Sequence, residues 1–333
     1  MDLEEFLKEW HSDSPTLTVH TSGSTGTPKA MLVEKRRMEA SARITCRFLG
    51  LKEGDTALLC LPLEYIAGKM MVVCALTCGL RLISVEPSSH PMAAANFSLF
   101  NFHSSLSFAA MVPLQVWNSL QVPEERERLM QIKHLIIGGG AIDEELERKL
   151  KDFPNAVWST YGMTETLSHI ALRRLNGPEA SEWYTPFEGV EVSINADGCL
   201  VINAPAVHDG PLVTNDIATL HIQHSTLRIQ PLFRILGRKD NVICSGGVKI
   251  QAEEVERLLR PHMNVPFCIT RMKDVRLGEA VVLLTEETNA ESLRPLCEQV
   301  LPRLWKPRRY VSVAKIPLTA TGKIARHEAE NLV

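Results

Sequence analysis

The chain has 333 residues, of which 45% are hydrophobic and 23% charged, and its formal net charge at pH 7 is −3. That length and apolar content can bury a large core and predict two domains, while the near balance of charge gives no argument for a nucleic-acid-binding surface. The longest apolar run, Met70 to Leu80, is about half of the ~20 residues that a membrane span requires. The acidic start Met1-Asp2-Leu3-Glu4-Glu5 is unlike a secretory signal. Eight cysteines occur without a C-x-x-C pair, which predicts reduced, buried thiols in a cytoplasmic protein.

In chain order, Leu3, Phe6, Leu7 and Trp10 fall at helical spacing and predict an amphipathic helix docked on the body. Leu17-Thr18-Val19-His20 reads as a strand, and Glu34 to Leu49 as a helix stopped by Gly50. A strand from Thr56 to Leu61, a helix from Ala67 to Cys78 ended by Gly79, and a strand from Arg81 to Val85 follow. Further strands are expected at Leu106 to Met111, His134 to Ile137 and Ala156 to Thr160, with a helix from Asp143 to Phe153. Strands alternating with helices imply a layered, mostly parallel α/β sheet, which binds ligands at the carboxyl ends of its strands. From Val190 the texture changes to short hairpins, with turns at Ala196-Asp197-Gly198 and His208-Asp209-Gly210.

The last hundred or so residues read as a smaller α+β domain. Its helices are expected at Ala252 to Arg260 and Ser292 to Leu301, and its strands at Phe267 to Arg271, Ala280 to Thr285 and Tyr310 to Ala314. The fold class is therefore α/β: a large layered N-terminal domain with a hairpin-rich subdomain over 1–237, and a small mobile C-terminal domain over 238–333.

Three stretches carry the chemistry. Thr21-Ser22-Gly23-Ser24-Thr25-Gly26-Thr27-Pro28-Lys29 combines hydroxyls, two glycines and a lysine. Turns at glycine expose backbone N–H groups, which with hydroxyls form a concavity for phosphate oxygens, and Lys29 adds a point charge. A Ser/Gly linker is the plain alternative, but the strand before the stretch and the amphipathic run after it favour a binding loop. Tyr161-Gly162-Met163-Thr164-Glu165 follows a strand end, where a carboxylate facing a phosphate loop suits Mg²⁺; such a Thr-Glu pair also starts helices. Gly138-Gly139-Gly140-Ala141 ends an apolar strand, either as a tight turn or as a flat backbone surface for a ligand.

On these residues the chain resembles the adenylate-forming superfamily of acyl-CoA synthetases, luciferases and adenylation domains. The resemblance runs from Thr18 to about Arg326. It implies that Thr21 to Gly26 and Lys29 clasp the β- and γ-phosphates of ATP, and that Thr25 and Glu165 meet Mg²⁺. Tyr161 and Gly162 would lie against adenine with Gly140 and Ala141, and Thr164 would contact the α-phosphate. Leu61-Pro62-Leu63-Glu64-Tyr65-Ile66-Ala67-Gly68 is similar to a motif beside the substrate carboxylate, with Tyr65 where histidine is common. Gly138 and Gly139 border the same acyl pocket. Thr214-Asn215-Asp216 stands where Ser/Thr-Gly-Asp is usual, so Asp216, with Arg238, is expected at the ribose. Asp240 matches the hinge, and Gly246 and Gly247 the channel for coenzyme A. Pro317 to Arg326 is similar to the last family motif, whose Lys323 would bridge the substrate carboxylate and the α-phosphate.

The implied reaction joins a small carboxylic acid to coenzyme A through an acyl-adenylate, with ATP and Mg²⁺ and without a nucleophilic Ser or Cys. Within the superfamily, the chain resembles the short bacterial o-succinylbenzoate–CoA ligases of menaquinone synthesis. A ligase for another aryl or short acyl acid and a non-catalytic nucleotide-binding relative are the alternatives, and the joint presence of Glu165, Asp240 and Lys323 argues for the enzyme. A second carboxylate on the acid would need a cation or donors, for which Lys69 and His169 are the candidates. Only twenty residues precede Thr21, a shortened form, and a missing subdomain or a homo-oligomeric partner covering that side is the expectation.

Overall fold

A computed structural model describes residues 1–20, 30–93, 106–140, 142, 144–224, 229–318 and 324–333. They divide into two compact units. One comprises Met1–Val192, Ile202–Leu212 and His221–Phe233, and the other Ser193–Val201, Val213–Leu220 and Arg234–Val333.

The first unit opens with helix α1, Leu3–Trp10. Asp2 caps it by accepting from the Glu5 N–H at 2.8 Å, while the Glu5 carboxylate accepts from the Asp2 N–H at 3.0 Å. Phe6 is the helix's buried anchor. Strands β1, Thr16–His20, and β2, Ala30–Glu34, then pair antiparallel with His20 opposite Ala30, so residues 21–29 connect the two arms of a hairpin. β2 has no counterpart in the sequence reading, because its apolar residues run straight into helix α2, Lys35–Leu49. Gly50 ends that helix in the left-handed conformation, φ 65°, which a side chain would disfavour.

The central sheet is built from β3 (Thr56–Leu59), β4 (Arg81–Ser84), β5 (Phe108–Met111), β6 (His134–Ile137), β7 (Ala156–Gly162), β8 (His169–Arg174) and β9 (Thr185–Pro186), with helix α3, Ile66–Cys78, between the first two. Their spatial order is β4-β3-β5-β6-β7-β8-β9. The pairs from β4 to β7 are parallel, and β8 and β9 are added antiparallel. β3 and β5 are buried at every position, as expected of parallel strands covered on both faces. Helices Pro113–Gln121 and Pro123–Met130 also belong here, each with proline in its first turn, where the missing N–H costs nothing. The core includes Leu58, Met111, Leu135, Ile137, Leu150 and Val157.

Strands β10 (Glu191–Ile194), β11 (Cys199–Asn203), β12 (Leu212–His224) and β13 (Ile229–Arg238) contribute residues to both units. The second unit continues with β14 (Val242–Ser245), β15 (Val248–Gln251), β16 (Phe267–Asp274), β17 (Gly278–Thr285) and β18 (Arg309–Ser312) in a five-stranded sheet. Helices Ala252–Leu259 and Arg294–Val300 pack with it around Ile250, Val255, Ile269 and Leu283. The expected helix from Ser292 is shorter: a 3₁₀ turn, Ala290–Leu293, precedes an α-helix with proline in its first turn. All eight cysteines are free thiols, but Cys244 is exposed and Cys78 only partly covered, contrary to the expectation that all are buried. Among the described residues no helix is long and apolar enough to cross a membrane.

Candidate active site

In the first unit the carboxyl ends of the parallel strands bring together three of the segments singled out above. β6 delivers Gly138, Gly139 and Gly140, and β7 delivers Tyr161 and Gly162 beside them. The segment after β3 carries Tyr65, which forms a parallel bridge with His20 at the end of β1. The chain therefore enters residues 21–29 next to the sheet's carboxyl edge. Gln115 ties this edge together: its amide donates to the carbonyls of Cys60 at 3.1 Å and Ser88 at 2.9 Å, and its oxygen accepts from Val112 N–H at 3.1 Å.

The glycines here have steric causes. Gly139 has φ +76°, a turn conformation that side chains rarely adopt. A Cβ on Gly138 would fall well under 3.0 Å from Thr160 Oγ1 on the neighbouring strand. A Cβ on Gly162 would strike the backbone of Ser168 and His169, where β8 begins. The tight-turn reading is thus satisfied, and a ligand can still lie on the bare backbone that results.

After Gly162 the chain makes a 3₁₀ turn, Thr164–Thr166, rather than entering an α-helix. The Thr166 hydroxyl accepts from Met163 N–H at 3.1 Å and donates to the Ser168 carbonyl at 2.7 Å, which closes the turn. Leu167 follows at φ 64°, alone among the described non-glycine residues in having positive φ, and buried nonetheless. Such a conformation costs on the order of 1 kcal/mol and marks a turn fixed by its surroundings. Thr164 is buried and Glu165 exposed. The Tyr161 ring meets Phe233 edge-on at 5.0 Å, and Phe233 stacks on Tyr184 at 5.4 Å. Tyr184 in turn bonds Ser159 at 2.8 Å, and Arg173, forked onto Glu147, lies over its ring. The sequence reading missed Tyr184 and Phe233, since no local pattern links them to Tyr161.

Both nitrogens of His169 are engaged, Nε2 with Thr45 Oγ1 at 3.2 Å and Nδ1 with Ser168 Oγ at 2.9 Å. Burial pushes its pKa down to about 4, so the ring is neutral near pH 7. Lys69 is buried; its ammonium donates to the Thr18 carbonyl at 3.0 Å and lies 5.8 Å from the Phe6 ring. Burial lowers its pKa, partly opposed by Glu9 and Glu64.

In the second unit Asp216 and Arg238 stand side by side, Arg238 Nη1 donating to Asp216 Oδ1 at 3.1 Å. A carboxylate beside a guanidinium offers acceptors and donors suited to a vicinal diol. Asp240 lies in the 3₁₀ turn Lys239–Asn241, 3.6 Å from Arg238. Gly246 and Gly247, both at positive φ, make the two-residue turn joining β14 and β15. Thr21, Ser22, Gly23, Ser24, Thr25, Gly26, Lys29, Ala141 and Lys323 lie outside the described residues.

Residues 3–207 match the family described as AMP-binding enzyme. The chain belongs to that family. Two curated 2-succinylbenzoate–CoA ligases, from Bacillus cereus and Bacillus mycoides, are each 26% identical over 360 residues, covering 99% of this chain and 73% of theirs. An acyl-CoA synthetase (AMP-forming)/AMP-acid ligase II-like protein from Dyadobacter fermentans is similar in structure, with TM-score 0.64 and 31% identity over 97% of this chain and 91% of that one. E. coli MenE, solved with an analogue of OSB-AMS, has TM-score 0.71 at 23% identity, covering 94% of this chain and 68% of its own, and attests the fold.

For this AMP-binding enzyme, the chemistry of the exposed carboxylate also tests a metal. Among the described residues Glu165 makes no hydrogen bond or ion pair, and no group of three or more His, Cys, Asp or Glu could hold an ion. Mg²⁺ needs only one or two protein oxygens beside phosphate and water, so a single accessible carboxylate fits it.

Proposed function

We propose that the chain is an ATP-dependent acid–CoA ligase and that o-succinylbenzoate is its acid. The observation that carries this reading is the exposed Glu165 carboxylate, without a partner among the described residues and four positions past Tyr161, in a chain aligned along 99% of its length with 2-succinylbenzoate–CoA ligases. Glu165, with Thr25, would hold Mg²⁺, which when bound neutralises phosphate charge. Residues 21–26 and Lys29 clasp the β- and γ-phosphates, Thr164 is set against the α-phosphate, and Gly140, Ala141, Tyr161 and Gly162 take the adenine. Asp216 and Arg238 bind the ribose hydroxyls. The substrate carboxylate, near Tyr65, Gly138 and Gly139, attacks the α-phosphorus and pyrophosphate leaves, while Lys323 neutralises the developing charge. The small domain, 238–333, then turns about Asp240 and brings Gly246 and Gly247 to the pantetheine arm. The thiol of coenzyme A loses its proton, attacks the carbonyl and expels AMP.

Of the two groups put forward for a second carboxylate, Lys69 and His169, the first keeps protons beyond the one given to Thr18, whereas both His169 nitrogens are engaged. The reaction is placed in the cytoplasm, where ATP and coenzyme A are both at hand. The substrate is tested by comparing o-succinylbenzoate with 4-phenylbutyrate in ATP- and CoA-dependent AMP release. Loss of the ring carboxylate should cost roughly 2–5 kcal/mol in kcat/KM, the range for truncating one side of a buried charge pair. Equal kcat/KM for the two acids would remove o-succinylbenzoate and leave the ligase chemistry standing.

A further inference from the structure

Within the second unit a chain of polar contacts runs from the Lys239–Asn241 turn to the short helix Arg326–Glu330, and a single carboxylate stands at its centre. Glu253, in the first turn of helix Ala252–Leu259, accepts on Oε1 from the Asn241 amide and on Oε2 from Gln251 Nε2 at 3.0 Å. Gln251 also donates to the Arg238 carbonyl at 2.8 Å, so both flanks of Lys239 and Asp240 are held by one pair of side chains. The same Oε1 forms an ion pair with Arg326 Nε at 3.6 Å. Arg326 is forked onto Glu256 at 2.9 and 2.8 Å and donates to the Ile269 carbonyl at 2.7 Å, which roots it in the sheet. Ile324, two residues earlier, bridges Leu318, and Ala325 N–H donates to Pro317 O at 2.9 Å. The packing at the hinge end is close enough to require glycine at 237, where a Cβ would overlap Gln251 Nε2 and Glu253 Oε2.

We infer that Glu253 is a positioning residue that ties the Lys239–Asn241 turn to Arg326, so that any change in the turn is passed to the segment just after Lys323. Glu253 touches neither nucleotide nor acid in this assignment; it acts through Asn241, Gln251 and Arg326. A carboxylate is required because its two oxygens accept from the Asn241 and Gln251 amides while its charge faces the Arg326 guanidinium. Its helix neighbour Glu254 is spent on Arg257 at 2.8 Å and reaches neither end of the chain of contacts. The consequence for catalysis rests on the proposed ligase reading, in which Asp240 is the hinge and Lys323 serves adenylation.

The test measures amide hydrogen exchange in the full-length protein for Glu253→Ala and Asn241→Ala, with Glu254→Ala as the control. Loss of hydrogen bonds to a charged group should raise exchange in residues 324–330 about tenfold in both variants. Exchange in β16 and β17 should stay at the control level. Asn241→Ala carries the test even if Glu253→Ala folds poorly, since Asn241 reaches residues 324–330 only through Glu253 along this path. The same variants should shift the ratio of pyrophosphate exchange to thioester formation by about tenfold, which plain destabilisation would not do. Unchanged exchange at 324–330 in Asn241→Ala, or a uniform rise across the unit, overturns the tie. Remote exchange as predicted, in a protein that adenylates no acid, would keep the tie and remove the ligase reading.

Discussion

Gly138 offers the sharpest steric test. Its φ lies outside the left-handed region, so alanine is allowed by the backbone, and the obstacle is one atom: Thr160 Oγ1, well under 3.0 Å from the new Cβ. The next nearest atoms, Thr160 Cβ and Cγ2, would be at 3.5 and 3.6 Å, ordinary contacts. Gly138→Ala should therefore cost about 1–3 kcal/mol, the usual range for overpacking. In a Thr160→Ala background the clashing atom is gone, and the same substitution should cost under about 0.5 kcal/mol, within the additivity limit. In a Thr160→Val background a methyl replaces the hydroxyl, so the full cost should return. Urea unfolding of the six proteins gives all three differences. An equal penalty in every background would refute the steric reasoning and assign the glycine's role to backbone freedom.

Other perturbations read other parts of the fold. His134 and His169 are both held at about pKa 4, chiefly by burial, against 6.5 when unfolded. The unfolded chain then binds more protons between those values, so stability is complete above pH 6.5 and falls toward pH 4, by about 1.4 kcal/mol per unit for each ring. Replacing His169 by Gln should flatten that slope by one ring's share, and an unchanged slope would contradict the burial effect. Arg326→Met should cost roughly 3–5 kcal/mol by stranding the buried Glu256 carboxylate, and Glu256→Gln in the same chain should recover part of it. Asp240→Pro fixes φ near −65° and should block one half-reaction while sparing the other; unchanged turnover would exclude a hinge there.

The parallel sheet was legible because β3, β5 and β6 are short apolar runs bounded by turn residues, with helical stretches before or after them. β2 escaped notice because Ala30-Met31-Leu32-Val33 passes into α2 without a turn residue to mark it off as a strand. The family resemblance located Tyr161, Glu165, Asp216 and Arg238, and the structure shows Asp216 and Arg238 paired. It gave no hint of Tyr184 and Phe233 beside Tyr161, or of the Arg173–Glu147 fork 26 positions apart, since such contacts follow from packing across the sheet. The burial of Lys69 was likewise unreadable, since a lysine in an apolar helix run does not show whether it faces solvent, and the structure buries it with its ammonium near the Phe6 ring.

The most direct measurement of the proposed chemistry is incorporation of labelled pyrophosphate into ATP, run with the wild-type protein and with Lys323→Ala across a panel of carboxylic acids. Wild type should exchange label only when an acid is supplied, most with o-succinylbenzoate, and should form the thioester once coenzyme A is added. Lys323→Ala should lose exchange by orders of magnitude yet still pass pre-formed acyl-adenylate to coenzyme A. Absence of acid-dependent exchange with every acid tested would contradict the ligase assignment.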